Sequence, residues 1–309
     1  EELGDERTQV RKGGVIDNLA DSEEEAFEMI RKFLSFMPSS VWKKAPRVET
    51  DDDPERRDEE LLSVIPRDPR KRYDPYKILD HVLDRDSFFE IAPHYGKARI
   101  TGLARANGYP IGVMINNPNH LGGTTDAAAG SKAMRLWSLC DTFHLPVVSF
   151  VDEPGFMVGK EAQDAGIVRA GARMVIAQCR SQSPWVSFYM KQAYGVAGQT
   201  HYRPTGMYHR YAWPSGKWGS MHIEGGVSAA YRRDIAASDD PEAKRLEIEA
   251  MLNAMASPFR TAEATGGDGA HGLDIIDPRD TRRMLCDFVD MAQDMLDTQL
   301  GPPMSPYLP

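Results

Sequence analysis

The sequence predicts an α/β fold built on a substantially parallel sheet. From Tyr76 onward, short apolar strand-like runs alternate with helical patterns. The same strand, loop, helix unit also occurs twice in succession, as parallel strands demand, because a parallel pair cannot be joined by a tight hairpin and needs a long crossover.

Residues 111–115 and 147–151 are the first two strand-like runs, and between them the stretch 127–143 sets Ala129, Ala133, Leu136, Trp137 and Cys140 on one helical face. A second helix is predicted over 164–180, with Ile167, Val168, Val175, Ile176 and Cys179 apolar, leading to a strand at 185–190 and a tight turn through Ala193, Tyr194, Gly195, Val196, Ala197 and Gly198. Ahead of this core, Ser22 and Glu25 have the spacing of a capping box, and Ala26, Phe27, Ile30, Phe33, Leu34 and Met37 recur at helical intervals until Pro38. Residues 44–75 carry an acidic run, a basic run from Arg67 to Arg72 and several prolines, which predicts a surface linker wrapped around something else. Two regions follow: 1–75, an N-terminal helix with an extended linker, and 76–309, the α/β domain. The C-terminal part reads as helical, with Pro241 at one helix start, Asp277-Pro278 opening another, and Met284, Leu285, Phe288, Val289, Met295 and Leu296 as an apolar stripe fit for a core or a subunit interface.

The 309 residues, 41% of them hydrophobic, suffice for a full core. A net charge of -9 lacks the positive footprint of a nucleic-acid binder. No run approaches the roughly 20 apolar residues of a membrane span, and no basic-then-apolar signal opens the chain. A cytoplasmic location, or the mitochondrial matrix in a eukaryote, is expected. Cys140, Cys179 and Cys286, without Cys-x-x-Cys pairing, predict buried thiols. Because the chain opens on Glu1 and not on Met, a processed chain or a piece of a longer product is expected.

Three loops share one design, in which an apolar strand ends in small residues and a helix follows at once: 117–126 with Gly122 and Gly123, 152–159 with Gly155 and Phe156, and 194–199 with Tyr194, Gly195, Gly198 and Gln199. Such junctions free backbone N–H groups where the helix dipole favours negative charge. Singly each is no more than a turn; at the same ends of consecutive βα units they would gather around one crevice. The eight histidines, His201, His209, His222 and His271 among them, form no metal-binding spacing, so no metal is expected and each reads as a satisfied or surface side chain. Neither a Gly-x-Ser-x-Gly elbow nor a Walker loop is present. Gly225-Gly226 predicts close helix packing.

Phe88-Phe89-Glu90-Ile91, Cys140-Asp141-Thr142-Phe143, Phe150 through Phe156, Gly166-Ile167-Val168-Arg169, Gly171-Ala172, Lys191 through Gly195 and Ala212-Trp213-Pro214 occur in this order along nearly the whole chain. With them the sequence resembles the carboxyltransferases of biotin-dependent acyl-CoA carboxylases, the propionyl-CoA carboxylase β subunit and its relatives. The resemblance implies a crotonase-like layered fold and corresponds to the second of the family's two related halves. Coenzyme A belongs largely to the first half, and biotin arrives on the carrier domain of a partner subunit. The implied partners are therefore an N-terminal carboxyltransferase half, a biotin carboxylase and biotin carrier subunit, and further copies in a homo-oligomer of dimers. The implied chemistry is carboxyl transfer without a protein nucleophile, in which the amides of Val196 and Ala197 stabilise an oxyanion, the enolate of the thioester or the ureido oxygen of biotin. The surrounding site would draw on Gly122, Gly123, Gly155, Phe156, Gly166, Tyr194, Gly195, Gly198 and Gln199.

Relatives commonly read Gly-Gly-Ala-Tyr-Asp where this chain reads Gly195-Val196-Ala197-Gly198-Gln199, and a small Gly-Ala-Lys segment where it reads His222-Ile223-Glu224. The first change predicts that Gly198 opens space and that Gln199 selects an acyl group other than plain propionyl. A carboxylase is the leading expectation; a decarboxylase carboxyltransferase and a non-catalytic assembly subunit retaining the fold are the alternatives.

Overall fold

The computed structural model describes residues 4–68, 71–203, 205–265 and 272–303. Arg70 of the basic run, His271 and the surroundings of Glu224 and Gly225 lie outside that description. The strands are β1 (Phe89–Ile91), β2 (Arg99–Ala106), β3 (Tyr109–Asn116), β4 (Val147–Glu153), β5 (Trp185–Tyr194), β6 (Tyr208–Ala212), β7 (Lys217–Gly219) and β8 (Asp274–Ile275). The helices are α1 (Glu23–Ser35), α2 (Pro75–Val82), α3 (Ala127–Phe143), α4 (Lys160–Asp164), α5 (Ile167–Arg180), α6 (Gly195–Gln199), α7 (Ile223–Ala230), α8 (Arg232–Ala236), α9 (Pro241–Met255), α10 (Pro258–Thr265) and α11 (Thr281–Asp297).

Among the described residues, eight strands join one sheet in the order β1-β2-β3-β4-β5-β6-β8, with β7 paired to the end of β5. From β3 to β8 the pairing is parallel, as predicted, but β1, β2 and β3 form an antiparallel meander, so the sheet is mixed. Asn107 and Gly108, both at positive φ, allow the two-residue turn from β2 into β3.

Side chains alternate across the sheet. Ile111, Val113 and Ile115 of β3 join Phe150, Phe188 and the apolar faces of α2 and α11 in one core layer, whereas Met114, Val147 and Trp185 join Leu136, Trp137 and Cys140 of α3 and Met174 of α5 in the other. In the first layer Phe150, Phe188 and Tyr211 sit in register on β4, β5 and β6 and stack with centroids 5.5 and 5.4 Å apart. In the second, Gly112 lets α3 approach β3 so closely that a Cβ there would lie 2.2 Å from Cys140 Sγ. The stripe of α11 is core, with Leu285, Phe288 and Val289 wholly buried.

Local chemistry fixes the element ends. Ser22 accepts from the Glu25 amide, while Glu25 reaches back to the amide of Asp21, one residue before the cap. Asp74 caps α2 with Pro75 in its first turn, Asp126 caps α3 through the Ala129 amide, and His144 closes α3 in the left-handed region. Asp277 caps a short 3₁₀ turn ahead of α11.

Three expectations are corrected. The helix expected over 164–180 starts later, at Ile167, because Gly166 at φ +78 separates it from a further short helix, α4, that was not expected. The turn after the third strand is a longer β5 followed by helical α6. Cys179 is exposed, as are Val168 and Ile176 of α5 and Phe27, Ile30 and Leu34 of α1, so among the described residues nothing covers the apolar faces that periodicity located.

Residues 52–58, within the segment 44–75, are held against the domain by two arginines. Arg282, fully buried on α11, donates to the carbonyls of Asp52, Asp53 and Val82 and pairs with Asp84 at 2.9 Å. Arg56 pairs with Asp52 and Asp58 and donates to the carbonyls of His81 and Leu83. Among the described residues no helix is long and apolar enough to cross a membrane.

Candidate active site

The three glycine-bearing loops leave the C-terminal ends of β3, β4 and β5, the side of a parallel sheet where ligands bind. Loops 117–126 and 152–159 are joined directly: the Thr125 amide donates to the Gly155 carbonyl at 3.0 Å, and the Met157 amide returns to the Thr125 carbonyl at 2.9 Å. Loop 194–199 stands beside them because Ala193 pairs with Glu153 across β4 and β5.

Gly122 and Gly123 turn the first loop at φ 64 and 84, after Leu121, a residue with a side chain held at φ 51. Gly155 stands at the bridge to Thr125. The Phe156 ring lies against Gly171 of α5, where an added Cβ would come within 3.0 Å of it, so Phe156 anchors the second loop to that helix. Gly166 starts α5, beyond α4 and outside these loop contacts.

Gly195, at φ +61, turns the chain from Tyr194 of β5 into α6, and the first N–H groups of that helix, those of Val196 and Ala197 included, have no acceptor within it. Val196 keeps a negative φ, as its amide requires, and presents its side chain outward at 61% exposure, whereas Ala197 is buried. Gly198 has another role from the one expected: a Cβ there would meet the Ala193 carbonyl carbon at 2.8 Å, so backbone fills the space that the missing side chain was expected to open. Gln199 is exposed; its side-chain oxygen accepts from the Tyr202 hydroxyl at 3.1 Å, and its carbonyl accepts from Gln178.

Under the loops lies a polar cluster that the sequence did not announce. Arg99 of β2 and Glu153 of β4 meet at 2.7 Å with both side chains fully shielded. The same guanidinium reaches the Thr125 hydroxyl at 2.7 Å, and that hydroxyl donates to Glu153 at 2.6 Å. Asn116 bridges Glu153 and the Gly123 carbonyl, both at 3.0 Å. His201, just past α6, places Nε2 at 3.2 Å from Glu153 and 3.0 Å from Arg99, with Nδ1 at 2.7 Å from the Ser149 hydroxyl. Glu153 Oε1 also accepts from the Gly155 amide. One carboxylate thus ties the first two loops, and His201 just past the third, to the sheet. Burial would raise the Glu153 carboxyl, but the His201 hydrogen bond and the Arg99 charge outweigh it and bring it down to about 2. Burial, reinforced by Arg99, pushes His201 down to about 4, so the imidazole is neutral at pH 7.

A second buried acid, Asp152, accepts from the Tyr73 hydroxyl at 2.9 Å and from the Gln192 side chain at 3.1 Å, with Lys191 Nζ at 3.8 Å. Burial raises its carboxyl. Beyond it a cavity of about 450 Å³ opens between residues 61–67 and the ends of β5 and β6. Among the described residues no group of three or more His, Cys, Asp or Glu side chains could hold a metal ion. His201 is a satisfied buried histidine, as expected, and His222 sits edge-on to Tyr194 with centroids 6.0 Å apart.

The scaffold defines the class first. Transcarboxylase 12S, solved with methylmalonyl-coenzyme A and methylmalonic acid, superposes with a TM-score of 0.85 at 30% identity over 95% of this chain and 56% of its own. A single-chain, multi-domain long-chain acyl-CoA carboxylase superposes at 0.74 with 28% identity, over 91% of this chain and 26% of that one. The fold is crotonase-like, that of carboxyltransferases. The chain belongs to the carboxyl transferase domain family, whose profile matches residues 1–299. It is 37% identical to the propionyl-CoA carboxylase carboxyltransferase subunit of Haloferax mediterranei over 92% of this chain. It is 32% identical to the methylmalonyl-CoA carboxyltransferase 12S subunit of Propionibacterium freudenreichii over 94%. The chain spans about half the length of these relatives, 55% of each.

Proposed function

We propose that this chain is the biotin-facing half of a carboxyltransferase that transfers a carboxyl group from carboxylated biotin to the α-carbon of a short acyl-CoA. The observation that carries this reading is the pair of amides, Val196 and Ala197, opening α6 beside two further glycine loops and braced from beneath by Glu153. Its support from relatives is their naming as propionyl-CoA carboxylase and methylmalonyl-CoA carboxyltransferase subunits.

The transfer develops negative charge on two oxygens, the thioester enolate and the ureido oxygen. Fixed backbone dipoles suit both, since they need no reorganisation as charge develops. In this reading Val196 and Ala197 hold the ureido oxygen. Gly195 gives α6 its direction, while Gly122, Gly123 and Gly155 keep the neighbouring loops free of side chains. When bound, biotin on the carrier domain of a partner supplies the carboxyl group and a ureido nitrogen for the α-proton. The chain itself orients, excludes water and stabilises charge. The acyl-CoA is held mainly by an N-terminal half, and the working particle contains that half, a biotin carboxylase and carrier subunit, and a homo-oligomer of dimers.

The test is transfer of labelled carboxyl from the biotinylated carrier to acetyl-, propionyl- and butyryl-CoA by the complex purified with all its polypeptides, against this chain alone. Transfer by the complex only is expected. No transfer by a complex with both halves present favours an assembly subunit and overturns the reading. A decarboxylase is the second reading, because the chain is also 29% identical to the methylmalonyl-CoA decarboxylase α subunit of Propionigenium modestum over 95% of its length. Co-purification with membrane subunits would select it.

A further inference from the structure

The cavity beside Tyr194 has a chemistry of its own. Its floor is apolar: Leu61 and Trp213 are almost wholly buried, with Pro214 and Ile65 beside them. The indole N–H of Trp213 is already given to the Thr281 hydroxyl at 2.9 Å, so the ring offers only hydrocarbon. Around this floor stand Arg67, Lys191, Lys217 and His222, and among the described residues that line it none is Asp or Glu. In a chain of net charge -9 that is a local reversal of sign.

Neutralisation from behind the wall is partial. Asp152 lies 3.8 Å from Lys191 but already accepts from Tyr73 and Gln192 and is sealed from the cavity's solvent. Lys217 donates to Asn253 Oδ1 at 3.0 Å, a neutral acceptor that leaves the ammonium charge in place. Lys191 and Lys217 are half-buried beside this apolar floor, where an anion gains more from their charge than it would in open water, and Arg67 stands exposed at the rim. The volume falls in the range of small-molecule sites, roughly 300 to 1,000 Å³.

We infer that this cavity binds an apolar chain ending in a carboxylate, with the chain on Leu61 and Trp213 and the carboxylate between Arg67 and Lys217. Two sources share that chemistry: a free medium-chain carboxylic acid, and the distal end of an acyl-CoA whose acyl group carries a second carboxylate. The second source deepens the carboxyltransferase reading and rests on it; the first does not.

Octanoate and octanol are titrated by calorimetry into the purified complex and into the same complex carrying Arg67→Met or Lys217→Met. Both side chains lie on the cavity wall outside the core, and unchanged thermal melting confirms intact folding. Binding of octanoate with at least tenfold preference over octanol, weakened about tenfold (about 1.4 kcal/mol) by each substitution, is expected, because each removes one charged hydrogen-bond donor to the carboxylate. Equal binding of octanol, no binding of octanoate, or octanoate binding indifferent to both substitutions overturns the inference. A second arm compares glutaryl- and adipyl-CoA with butyryl- and hexanoyl-CoA as carboxyl acceptors. Preference for the dicarboxylic forms, lost in Lys217→Met, identifies the acyl-CoA as the source; octanoate binding without that preference identifies the free acid. Absence of transfer to every acyl-CoA would count against the carboxyltransferase reading, while the octanoate titration decides the cavity's ligand independently of it.

Discussion

Arg99 of β2 and Glu153 of β4 form an ion pair at 2.7 Å that water does not reach, and Thr125, whose backbone joins two loops of the candidate site, sets its hydroxyl on both partners. Removing one partner strands the other. Glu153→Gln is therefore expected to destabilise the protein by about 3 to 5 kcal/mol. Replacing both residues, Arg99→Met with Glu153→Leu, should cost less than Glu153→Gln alone. Thermal and denaturant unfolding of the purified protein measures the ordering, and a double variant less stable than the single one would show that the pair is not coupled.

The same cluster sets an acid limit. His201 is held neutral, with its pKa lowered from 6.5 to about 4, so between these values the unfolded chain binds a proton that the native protein refuses. Stability therefore rises with pH across that window and is lost on acidification from about pH 6.5 towards 4, by up to about 1.4 kcal/mol per pH unit from this one group. Glu153, lowered to about 2, adds a loss only at still lower pH, below the ordinary glutamate value. His201→Gln should flatten the slope between pH 6.5 and 4. An identical slope in the variant and the parent would place the acid sensitivity elsewhere.

Proline at 196 removes one N–H and little else, since the first turn of a helix tolerates proline. Val196→Pro should melt close to the parent temperature and lose carboxyl transfer by a factor of about 10² to 10³, the loss seen when one oxyanion donor is deleted. Val196→Ala, which keeps the amide, should retain activity. Full activity in Val196→Pro would remove this amide from the chemistry.

Gly198 and Gln199 should separate cleanly. A Cβ at 198 would collide with the Ala193 backbone, so Gly198→Ala is expected to destabilise by about 1 to 3 kcal/mol and displace α6. Gln199 is exposed, and Gln199→Asp should leave stability within about 0.5 kcal/mol. If Gln199 selects the acyl group, that variant shifts kcat/KM ratios among acetyl-, propionyl-, butyryl- and branched acyl-CoA by at most about 200-fold. Unchanged ratios would assign specificity to other residues.

The parallel strands were legible because a strand buried on both faces is a nearly unbroken apolar run, as in 147–151, and the loops because glycines follow those runs at once. The antiparallel β1–β3 meander was not, since β2 carries Arg99 and Arg105 and reads as half-exposed although every residue of it is buried. The Arg99–Glu153–His201 cluster was invisible for a related reason: its members lie 54 and 48 residues apart and only the sheet brings them together. One signal was available. Asp152 and Glu153 directly prolong a buried apolar strand, and acids in such a place require partners. The exposed faces of α1 and α5 mark the opposite limit, because periodicity shows which face is apolar and says nothing of what lies against it.

The hold of Arg282 on the backbone of Asp52 and Asp53 makes that stretch a splint rather than a tether. Peeling it away would take two main-chain acceptors from a buried guanidinium and leave it Val82 and Asp84 alone. Residues 52 and 53 therefore move with α11 and with the end of α2, and a pull on that stretch is passed into the core layer that α2 and α11 share.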